Sequence, residues 1–423
     1  MIEAETKQLK RCRVCESKEL IDVPSLGKQL IINFSDSNDA EGVSAPLDLV
    51  LCHMCGLLQL KYTVARDLMY RKYWYRSGVS TLMRQYLGDV VESASDLIPL
   101  NPGDIVLDIG ANDGTLLRLY NSTDLIRVGF EPSDLFHYNT DDSIIMINDY
   151  FSHDAFSKKF GTRRASIITS IAMFYDLDNP NDFVRDITKC MKENGLWIIQ
   201  MNYLGSMLDH NTFDNISHEH LEYYSLHTLQ YLLNLHGLEI VKAELNEVNG
   251  GSIRAYVMFR VHGIAEHVAD YDSVKNILKS EDVKGLLSSQ TYFSFMDRIV
   301  RIGRELTEFM MKEKQRGRKF CIYGASTRGF VILQFFRIGL DLIDYAVDKN
   351  PEKWGKTIIG TGIEIFSPQK IYESNPDYLL LLPYHLAEEI RIQESRYLDN
   401  GGRILVPIPE PVLISKSGKE KIK

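Results

Sequence analysis

Short apolar runs alternate with segments of helical periodicity between residues 76 and 265. Buried strands that alternate with helices are typical of a doubly wound α/β sheet, because each helix covers the apolar face of the strands beside it. The runs predicted to form strands are 105–109, 127–131, 143–147, 166–171, 196–201, 238–243 and 253–260. A helix over 81–98 precedes them. The pattern therefore predicts one Rossmann-like domain.

A second α/β unit follows a charged, proline-free stretch over 270–316 that has helical spacing. Residues 319–329 have the pattern of a strand, a glycine-containing turn and a helix. Further strand-like runs are 343–347, 378–382 and 403–406. Residues 416–423 are charged and have the pattern of a frayed tail. The parts expected are a small N-terminal lobe over 1–75, a central Rossmann-like domain over 76–265, and a helical connector with a C-terminal Rossmann-like domain over 266–423.

Four of the six cysteines form two Cys-x-x-Cys pairs in the N-terminal lobe. Two such pairs can supply four thiolates in the tetrahedral arrangement that Zn²⁺ prefers. The predicted metal ligands are Cys12, Cys15, Cys52 and Cys55. Because a site closed by four cysteines leaves no open position, the zinc is expected to be structural. Redox-active pairs are the alternative, whereas disulfides suit a secreted protein, and the polar start of the sequence shows no secretory signal.

The composition limits the possible partners. The net charge is −9, which argues against nucleic acid or an anionic membrane as the main partner. No run approaches the roughly 18 apolar residues of a membrane helix. A cytoplasmic location is expected, no obligatory protein partner is evident, and a small anionic substrate remains compatible with a local basic pocket.

The first strand of the central domain runs into Asp108-Ile109-Gly110-Ala111-Asn112-Asp113-Gly114, a loop that precedes a helical pattern. Its two glycines let the backbone turn sharply and let a ligand approach closely. The loop lacks the three spaced glycines of a dinucleotide fingerprint and the Lys-Ser/Thr of a phosphate-binding loop. It resembles the first motif of Rossmann-like methyltransferases that depend on S-adenosylmethionine (SAM).

That resemblance implies a SAM site at the carboxyl ends of the strands. In such enzymes an acidic residue at the end of the next strand holds the ribose hydroxyls, and Glu131 supplies it. A carboxylate can accept both hydroxyl protons, and a cationic cofactor tolerates nearby negative charge. The loops after the following strands offer groups for the adenine and for the transfer chamber. The residues expected to bind SAM are Asp108, Gly110, Asn112, Asp113, Gly114, Glu131, Asp149, Tyr150 and Ala172.

The segment His218-Glu219-His220 is unusual because two imidazoles flank a carboxyl. Three interpretations compete for it. His-x-His can chelate a metal, although the His-Glu-x-x-His spacing of zinc proteases is absent. The segment can instead be a structural polar network. We favour a general-base site, in which an imidazole takes a proton and the neighbouring carboxylate orients it or tunes its pKa.

Two later loops carry polar groups that suit a substrate. The loop over 249–254 is either a simple hairpin turn or a means of presenting backbone N–H groups and an arginine. The turn over 324–329 opens a helix, and a helix N-terminus is a ready site for phosphate. The same turn is weak evidence for an NAD-dependent enzyme, because it lacks a central glycine. The residues expected to bind substrate are Tyr224, Asn249, Ser252, Arg254, Ser326 and Arg328.

The order of the motifs is more specific than any one of them. Two Cys-x-x-Cys pairs, Tyr-Trp-Tyr-Arg-Ser-Gly, Asp-Ile-Gly-x-Asn-Asp-Gly, His-Glu-His, Asn-Gly-Gly-Ser and Gly-Ala-Ser-x-x-Gly follow one another over nearly the whole chain. The chain resembles the three-domain C-methyltransferases of deoxysugar biosynthesis, which add a methyl branch at C-3 of a TDP-4-keto-deoxysugar. The resemblance implies a structural zinc lobe, a SAM domain, and a C-terminal domain that helps to hold a nucleotide-diphosphate sugar.

The resemblance also implies the catalytic residues. The ketone acidifies the C-3 proton, a base removes it, and the enolate carbon attacks the methyl group of SAM. His220 matches the base, Glu219 and His218 are its neighbours, and Tyr75 matches an active-site tyrosine.

One position departs from the family pattern. Members often have a tyrosine immediately before His-Glu-His, whereas this chain has Ser217. Tyr223 or Tyr224 can supply the missing phenol. Methylation at an oxygen or nitrogen of a sugar therefore remains an alternative, as does a non-catalytic protein that binds a nucleotide sugar.

Overall fold

The computed structural model describes residues 2–31, 34–35, 42–65, 69, 76–260 and 268–422. The expected α/β class is confirmed: a small β lobe precedes a central sheet, and a second large sheet follows. The domain ends expected at residues 75 and 265 lie outside the described residues. None of the helices in the described ranges is long and apolar enough to cross a bilayer.

The N-terminal lobe is built from short strands that are interrupted by the two cysteine turns. Its strands are β1 (Ile2–Glu3), β2 (Thr6–Gln8), β3 (Leu20–Val23), β4 (Lys28–Leu30), β5 (Phe34–Ser35), β6 (Val43–Pro46), β7 (Leu49–Cys52), β8 (Leu58–Leu60) and β9 (Tyr62–Val64). They form a three-stranded sheet in the order β1-β6-β4, a β2-β9 pair, and the β8-β7-β3 part of a four-stranded sheet. The strand β5 joins the C-terminal sheet instead.

The central part has the predicted alternation of strands and helices. Its elements are α1 (Thr81–Leu97), β10 (Ile105–Ile109), α2 (Thr115–Arg118), β11 (Ile126–Phe130), β12 (Ile144–Ile147), α3 (His153–Phe160), β13 (Ala165–Ile171), α4 (Pro180–Cys190), β14 (Met191–Asn202), α5 (Leu204–Asp209), β15 (Glu222–Tyr223), α6 (Leu226–Leu235), β16 (Leu238–Asn246) and β17 (Ser252–Phe259). Seven strands form one sheet in the order β12-β11-β10-β13-β14-β17-β16, while β15 pairs with the N-terminal lobe. The strands from β12 to β14 are parallel, and β17 is antiparallel to both of its neighbours, β14 and β16.

The C-terminal part opens with two helices and continues as a second wound sheet. Its elements are α7 (Tyr271–Lys284), α8 (Ser289–Gln315), β18 (Phe320–Tyr323), α9 (Thr327–Phe336), β19 (Tyr345–Val347), β20 (Thr357–Ile358), β21 (Ile363–Phe366), α10 (Gln369–Ser374), β22 (Tyr378–Leu381), α11 (Ala387–Gln393), α12 (Ser395–Asp399), β23 (Arg403–Val406), β24 (Val412–Ser415) and β25 (Gly418–Lys421). The strand order is β25-β24-β23-β22-β18-β19-β21-β20-β5. The prediction of a frayed tail over 416–423 is wrong for residues 418–421, which form β25 and pair with β24 as a hairpin. The β25 side chains are exposed, whereas β24 is mostly buried.

The same rule predicts where each of the two large sheets binds a ligand. A doubly wound sheet binds ligands where the strand order reverses, at the carboxyl ends of its strands. In the central sheet this point lies between β10 and β13, and in the C-terminal sheet it lies between β18 and β22. All five residues of β10 and all four of β18 are buried, as expected for strands that are covered on both faces.

Candidate active site

A cavity of about 520 Å³ lies where the reversal points of the two sheets face each other. This volume falls within the roughly 300–1,000 Å³ that small-molecule sites occupy. Most of the predicted site residues line it, namely Asp108, Gly110, Asn112, Glu131, Asp149, Tyr150, Ala172, Glu219, His220, Asn249, Ser252, Ser326 and Arg328. The motifs that were widely separated in the sequence therefore converge on one space.

The wall formed by the central sheet is a narrow cradle. Gly110 has a φ of +75°, and a Cβ at that position would come within 3.1 Å of the Met173 side chain. Glu131 is held by backbone and hydroxyl donors, since its Oε2 accepts from the Asn112 N–H at 2.8 Å and its Oε1 accepts from the Ser133 hydroxyl at 2.6 Å. The carboxyl of Glu131 is therefore fixed at the edge of the cavity.

Three residues on the cavity wall have a left-handed backbone without being glycine. They are Asn112 with φ +52°, Ala172 with φ +54° and Asn249 with φ +55°. Alanine is rarely found in this region, because its Cβ crowds the backbone. Strain of this kind persists where the surrounding structure enforces it, often at ligand sites. The left-handed backbone therefore occurs in the same loops that the sequence motifs predict to bind ligands.

Asp108 is a buried carboxyl that faces the cavity. The Thr169 hydroxyl donates to it at 2.6 Å, but burial raises the pKa of Asp108 to about 7, and the nearby charge of Glu131 adds to the rise. A cationic ligand beside Asp108 would favour the carboxylate. The narrow cradle and the two carboxyls fit SAM, which carries positive charge.

Asp113 and Gly114 do not line the cavity. Asp113 accepts from the Gly78 N–H at 3.0 Å, and Asn112 accepts from the Ser77 N–H at 3.2 Å. The loop over 108–114 therefore anchors Ser77 and Gly78, the last two residues of the aromatic segment Tyr-Trp-Tyr-Arg-Ser-Gly over 73–78. Tyr75, the predicted active-site tyrosine of that segment, lies outside the described residues.

His220 has the geometry of a neutral base. Its Nδ1 lies 2.6 Å from the Asn215 carbonyl oxygen, which can only accept, so Nδ1 carries the hydrogen and the lone pair is on Nε2. Burial lowers the pKa of His220 to about 4, and the charge on Arg328 lowers it further. The Tyr175 ring packs edge-on against the imidazole, with centroids 4.4 Å apart. The imidazole is therefore neutral and oriented at neutral pH.

The two neighbours of His220 differ in position. Glu219 lines the cavity, and burial raises its pKa to about 7. His218 does not line it, because its Nε2 lies 3.0 Å from the Ala45 carbonyl oxygen of β6. His218, which the resemblance places among the catalytic residues, therefore lies outside the cavity lining, with its imidazole directed to β6. Among the described residues, the metal-ligand geometry is found in the cysteine cluster and not in this segment.

Arg328 connects the C-terminal sheet to the central one. Its Nε donates to Asp214 at 2.8 Å, one Nη to the Asn249 carbonyl at 2.6 Å, and the other Nη to the Tyr384 hydroxyl at 2.7 Å. Tyr384 in turn donates to Asp214 at 2.8 Å. This network neutralises a partly buried guanidinium on the wall of the cavity.

Two predicted substrate residues point away from the cavity. Tyr224 is fully buried and donates to Glu222 at 2.9 Å. Arg254 lies on β17 and donates to Gln200 at 2.8 Å. Both predictions were based on residue type near a motif, and the side chains face the protein interior instead.

Further residues also line the cavity, among them Asp214 and His385, which the sequence did not predict as site residues. Tyr175 lines it as well, in the loop that was expected to border the transfer chamber. Burial lowers the pKa of His385 to about 3, and Arg328 adds to that effect. Tyr175 lies in the loop after β13, and the position after a strand in a wound sheet is a signal that points to such residues.

The four predicted metal ligands come together in the N-terminal lobe. All their Sγ atoms lie within 4.8 Å of one another, and the Cys12–Cys55 and Cys15–Cys52 sulfur pairs are 3.5 and 3.4 Å apart. These separations are too long for disulfides and match a convergent thiolate set, which is the donor set of a structural zinc site. The cluster fits Zn²⁺.

The Rossmann-like C-terminal sheet has a different arrangement at its ribose position. Asp348 follows β19, where a dinucleotide-binding domain holds a ribose. Its carboxylate lies 3.1 Å from the ammonium of Lys353, which also donates to the Ala325 carbonyl at 2.8 Å. This ion pair fills the place of a ribose and weakens the interpretation as an NAD-dependent enzyme.

Comparisons with known proteins cover the three parts of the chain. Residues 12–70 match a zinc binding domain family, residues 80–243 a methyltransferase domain family, and residues 247–409 the C-methyltransferase C-terminal domain family. The C-methyltransferase NovU of Streptomyces niveus is 31% identical over 415 residues, which is 97% of this chain and 98% of NovU.

Solved structures resemble part of the chain. The plantazolicin methyltransferase BpumL in complex with SAH is 12% identical with a TM-score of 0.35, and the match covers 42% of this chain and 84% of BpumL. The CcbJ methyltransferase from Streptomyces caelestis is 13% identical with a TM-score of 0.33, and the match covers 41% of this chain and 90% of CcbJ.

Proposed function

The chain belongs to the family of three-domain, SAM-dependent C-methyltransferases, and from that premise we propose that it methylates C-3 of a nucleotide-linked 4-keto-deoxysugar. The observation that carries the proposal is that His220 and Arg328 line the same cavity, close enough for the guanidinium charge to affect the imidazole pKa. Removal of a proton next to a ketone needs a base for the proton and a positive group for the oxygen that gains charge.

His220 is the base in this proposal. Its Nε2 lone pair takes the proton from C-3, and the electrons of the broken C–H bond move into the C-3–C-4 bond as the carbonyl oxygen becomes an enolate oxygen. The Asn215 carbonyl, which accepts from Nδ1 at 2.6 Å, holds the ring and stabilises the imidazolium that forms. Asn202 holds Asn215 in turn through an amide hydrogen bond of 2.9 Å.

Arg328 is the group that stabilises the enolate oxygen. A guanidinium has five N–H bonds, and the described protein uses three of them, on Asp214, Asn249 and Tyr384. One N–H on each Nη is left for a ligand in the cavity. Because the other three bonds fix the plane of the guanidinium, these two donors are oriented before substrate enters.

The opposite wall holds the cofactor. When bound, SAM supplies an electrophilic methyl group on a sulfonium. Gly110 and Ala172 provide the close backbone surface, while Glu131 receives the ribose hydroxyls and Asp108 faces positive charge. Glu219, which burial keeps partly protonated near neutral pH, is placed to hydrogen-bond a sugar hydroxyl or the ketone.

The nucleotide diphosphate is assigned to the start of α9. Ser326 and Thr327 line the cavity there, and the Ser326 hydroxyl accepts from the Gly329 N–H at 3.0 Å as an N-cap. A helix N-terminus favours phosphate through its free N–H groups and its dipole. The reacting sugar would then lie between this helix and His220.

Product analysis tests the proposal. Wild-type protein is incubated with SAM and a TDP-4-keto-6-deoxysugar, and the product is examined by mass spectrometry and by NMR with a ¹³C-labelled methyl group. We expect one added methyl group bonded to carbon and the loss of the C-3 proton signal. A methyl group on oxygen or nitrogen would contradict the carbon acceptor, and a different nucleotide sugar as the turned-over substrate would contradict the TDP-sugar assignment.

A further inference from the structure

We propose that the N-terminal lobe positions the catalytic base, with His218 as a positioning residue that ties the base-bearing loop to the lobe. The loop meant here is residues 216–221, and the inference rests on the proposed role of His220. The lobe would thus contribute to methyl transfer although its cysteine cluster lies outside the cavity.

The first contact is a shared β-sheet. Directly after the loop, β15 joins the N-terminal sheet by pairing antiparallel with β8, so that Glu222 lies opposite Gln59 and Tyr223 opposite Leu58. The Leu60 N–H donates to the Leu221 carbonyl at 2.9 Å. The residue next to His220 is therefore held by the edge of a sheet that belongs to the N-terminal lobe.

The second contact is His218 itself. This side chain is 4% exposed, and its Nε2 lies 3.0 Å from the Ala45 carbonyl, so that Nε2 carries the hydrogen. Burial lowers the pKa of His218, which keeps the ring neutral and suited to this single donor role. The two contacts hold the loop on both sides of Glu219 and His220.

Both cysteine turns converge on the strand that makes the pairing. The turn from Cys52 to Cys55 joins β7 directly to β8. From the other turn, Arg13 donates to the Leu60 carbonyl at 2.9 Å and to the Thr63 hydroxyl at 2.7 Å. The position of β8, and with it the position of the loop, therefore depends on the fold of the metal-binding turns.

The cofactor wall packs in the same apolar cluster as the cysteine turns, but its backbone hydrogen bonds stay within the central sheet. Gly110 and Glu131 are held by loops of the central sheet, and their backbone hydrogen bonds run to Phe130 and Ile147. Loosening the lobe is therefore expected to move the base, which is hydrogen-bonded to the lobe through its loop, further than the SAM cradle. Faster hydrogen exchange in the loop with SAM affinity retained would therefore distinguish a positioning role from a general loss of structure.

The test compares His218→Leu, His218→Gln and the exposed-residue control His137→Leu by hydrogen–deuterium exchange of the whole chain. Leucine removes the side-chain N–H that donates to the Ala45 carbonyl, whereas glutamine keeps an N–H donor at a similar reach. We expect His218→Leu to raise exchange in residues 216–224 about tenfold, with His218→Gln close to wild type. SAM affinity by calorimetry should remain within about twofold for all three.

Turnover and zinc removal extend the test. His218→Leu should lower kcat while His218→Gln restores it, and chelation of zinc from wild-type protein should loosen residues 216–224 before residues 105–112. Hydrogen–deuterium exchange in residues 216–224 that is unchanged both by His218→Leu and by chelation of zinc would overturn the inference. Equal loss of kcat in the leucine and glutamine variants without faster exchange would also overturn it, because His218 would then act chemically. The hydrogen–deuterium exchange of the protein tests the role of His218 even if the keto-sugar proves not to be the substrate.

Discussion

His220, Glu219 and Asp108 show how burial fixes protonation at single residues. Burial lowers the pKa of the imidazole to about 4 and raises the pKa of each carboxyl to about 7. Low polarity disfavours whichever form is charged, so that the base is neutral and the two acids are near half-protonated at neutral pH. The same physical effect therefore prepares a proton acceptor and two responsive acids in one cavity.

Asp108 gives a prediction for the pH dependence of SAM binding. A cationic ligand binds better to the carboxylate, and protonation below a pKa of about 7 removes that charge. SAM affinity should therefore fall as pH falls below 7, by up to about tenfold per unit. Asp108→Asn should bind SAM with an affinity that is nearly independent of pH between 5.5 and 8, as measured by calorimetry at about equal ionic strength.

The matched control is Asp149→Asn. Asp149 also lines the cavity, on the loop after β12. This variant should weaken SAM binding while keeping the pH dependence. If Asp108→Asn keeps the wild-type dependence, another group is responsible and the role given to Asp108 is wrong.

Residue types near a motif predicted which loops line the cavity better than they predicted whether each side chain points into it. The residues at the carboxyl ends of strands, such as Gly110 and Glu131, line the cavity because a wound sheet brings those ends together. Tyr224 and Arg254 face the interior, since direction depends on packing against elements far away in sequence. Tyr175, which packs on the base, has no motif of its own.

At the scale of elements, the contact between α8 and α9 depends on a single glycine. A Cβ at Gly303 would come within 2.3 Å of the Phe336 ring. Gly303→Ala should lower the free energy of unfolding by about 1–3 kcal/mol, because overpacking forces the ring or the helix to move. Urea or thermal unfolding of the whole chain measures the change.

Gly88→Ala is the matched control for that prediction. Gly88 lies in α1, and a Cβ there would meet no atom within 4 Å. The substitution should be neutral or raise the free energy of unfolding by up to about 1 kcal/mol, since alanine favours a helix. A Gly303→Ala variant as stable as Gly88→Ala would show that the close helix contact carries no energetic weight.

Elements with strong periodicity could be predicted, and short ones could not. The first central strand was predicted over 105–109 and is observed over the same residues. The strands of the N-terminal lobe have two to four residues, which is too short for a pattern of apolar positions. The β24–β25 hairpin escaped detection because three of the four residues of its last strand are charged and all four are exposed.

At the scale of the whole molecule, the site exists because two wound sheets face each other. The Asp214–Arg328 pair, 2.8 Å apart, joins residues that are 114 positions apart in sequence, with Asp214 in the central part of the chain and Arg328 in α9 of the C-terminal part. The sequence indicated that each sheet binds a ligand at its carboxyl edge, but not that the two edges share a cavity. Relative orientation of two units depends on surface contacts that leave no periodic signal.

The measurement that tests the central claim most directly is solvent exchange at C-3. The protein is incubated in D₂O with a TDP-4-keto-6-deoxysugar, with and without SAM, and deuterium at C-3 is followed by NMR. Wild type, His220→Gln and the surface control His137→Gln are compared. The account predicts exchange catalysed by wild type and by the control, and a rate lower by about 10²–10⁴ for His220→Gln with SAM binding unchanged. Exchange by His220→Gln at the wild-type rate, or methylation by wild type without any C-3 exchange, would contradict it.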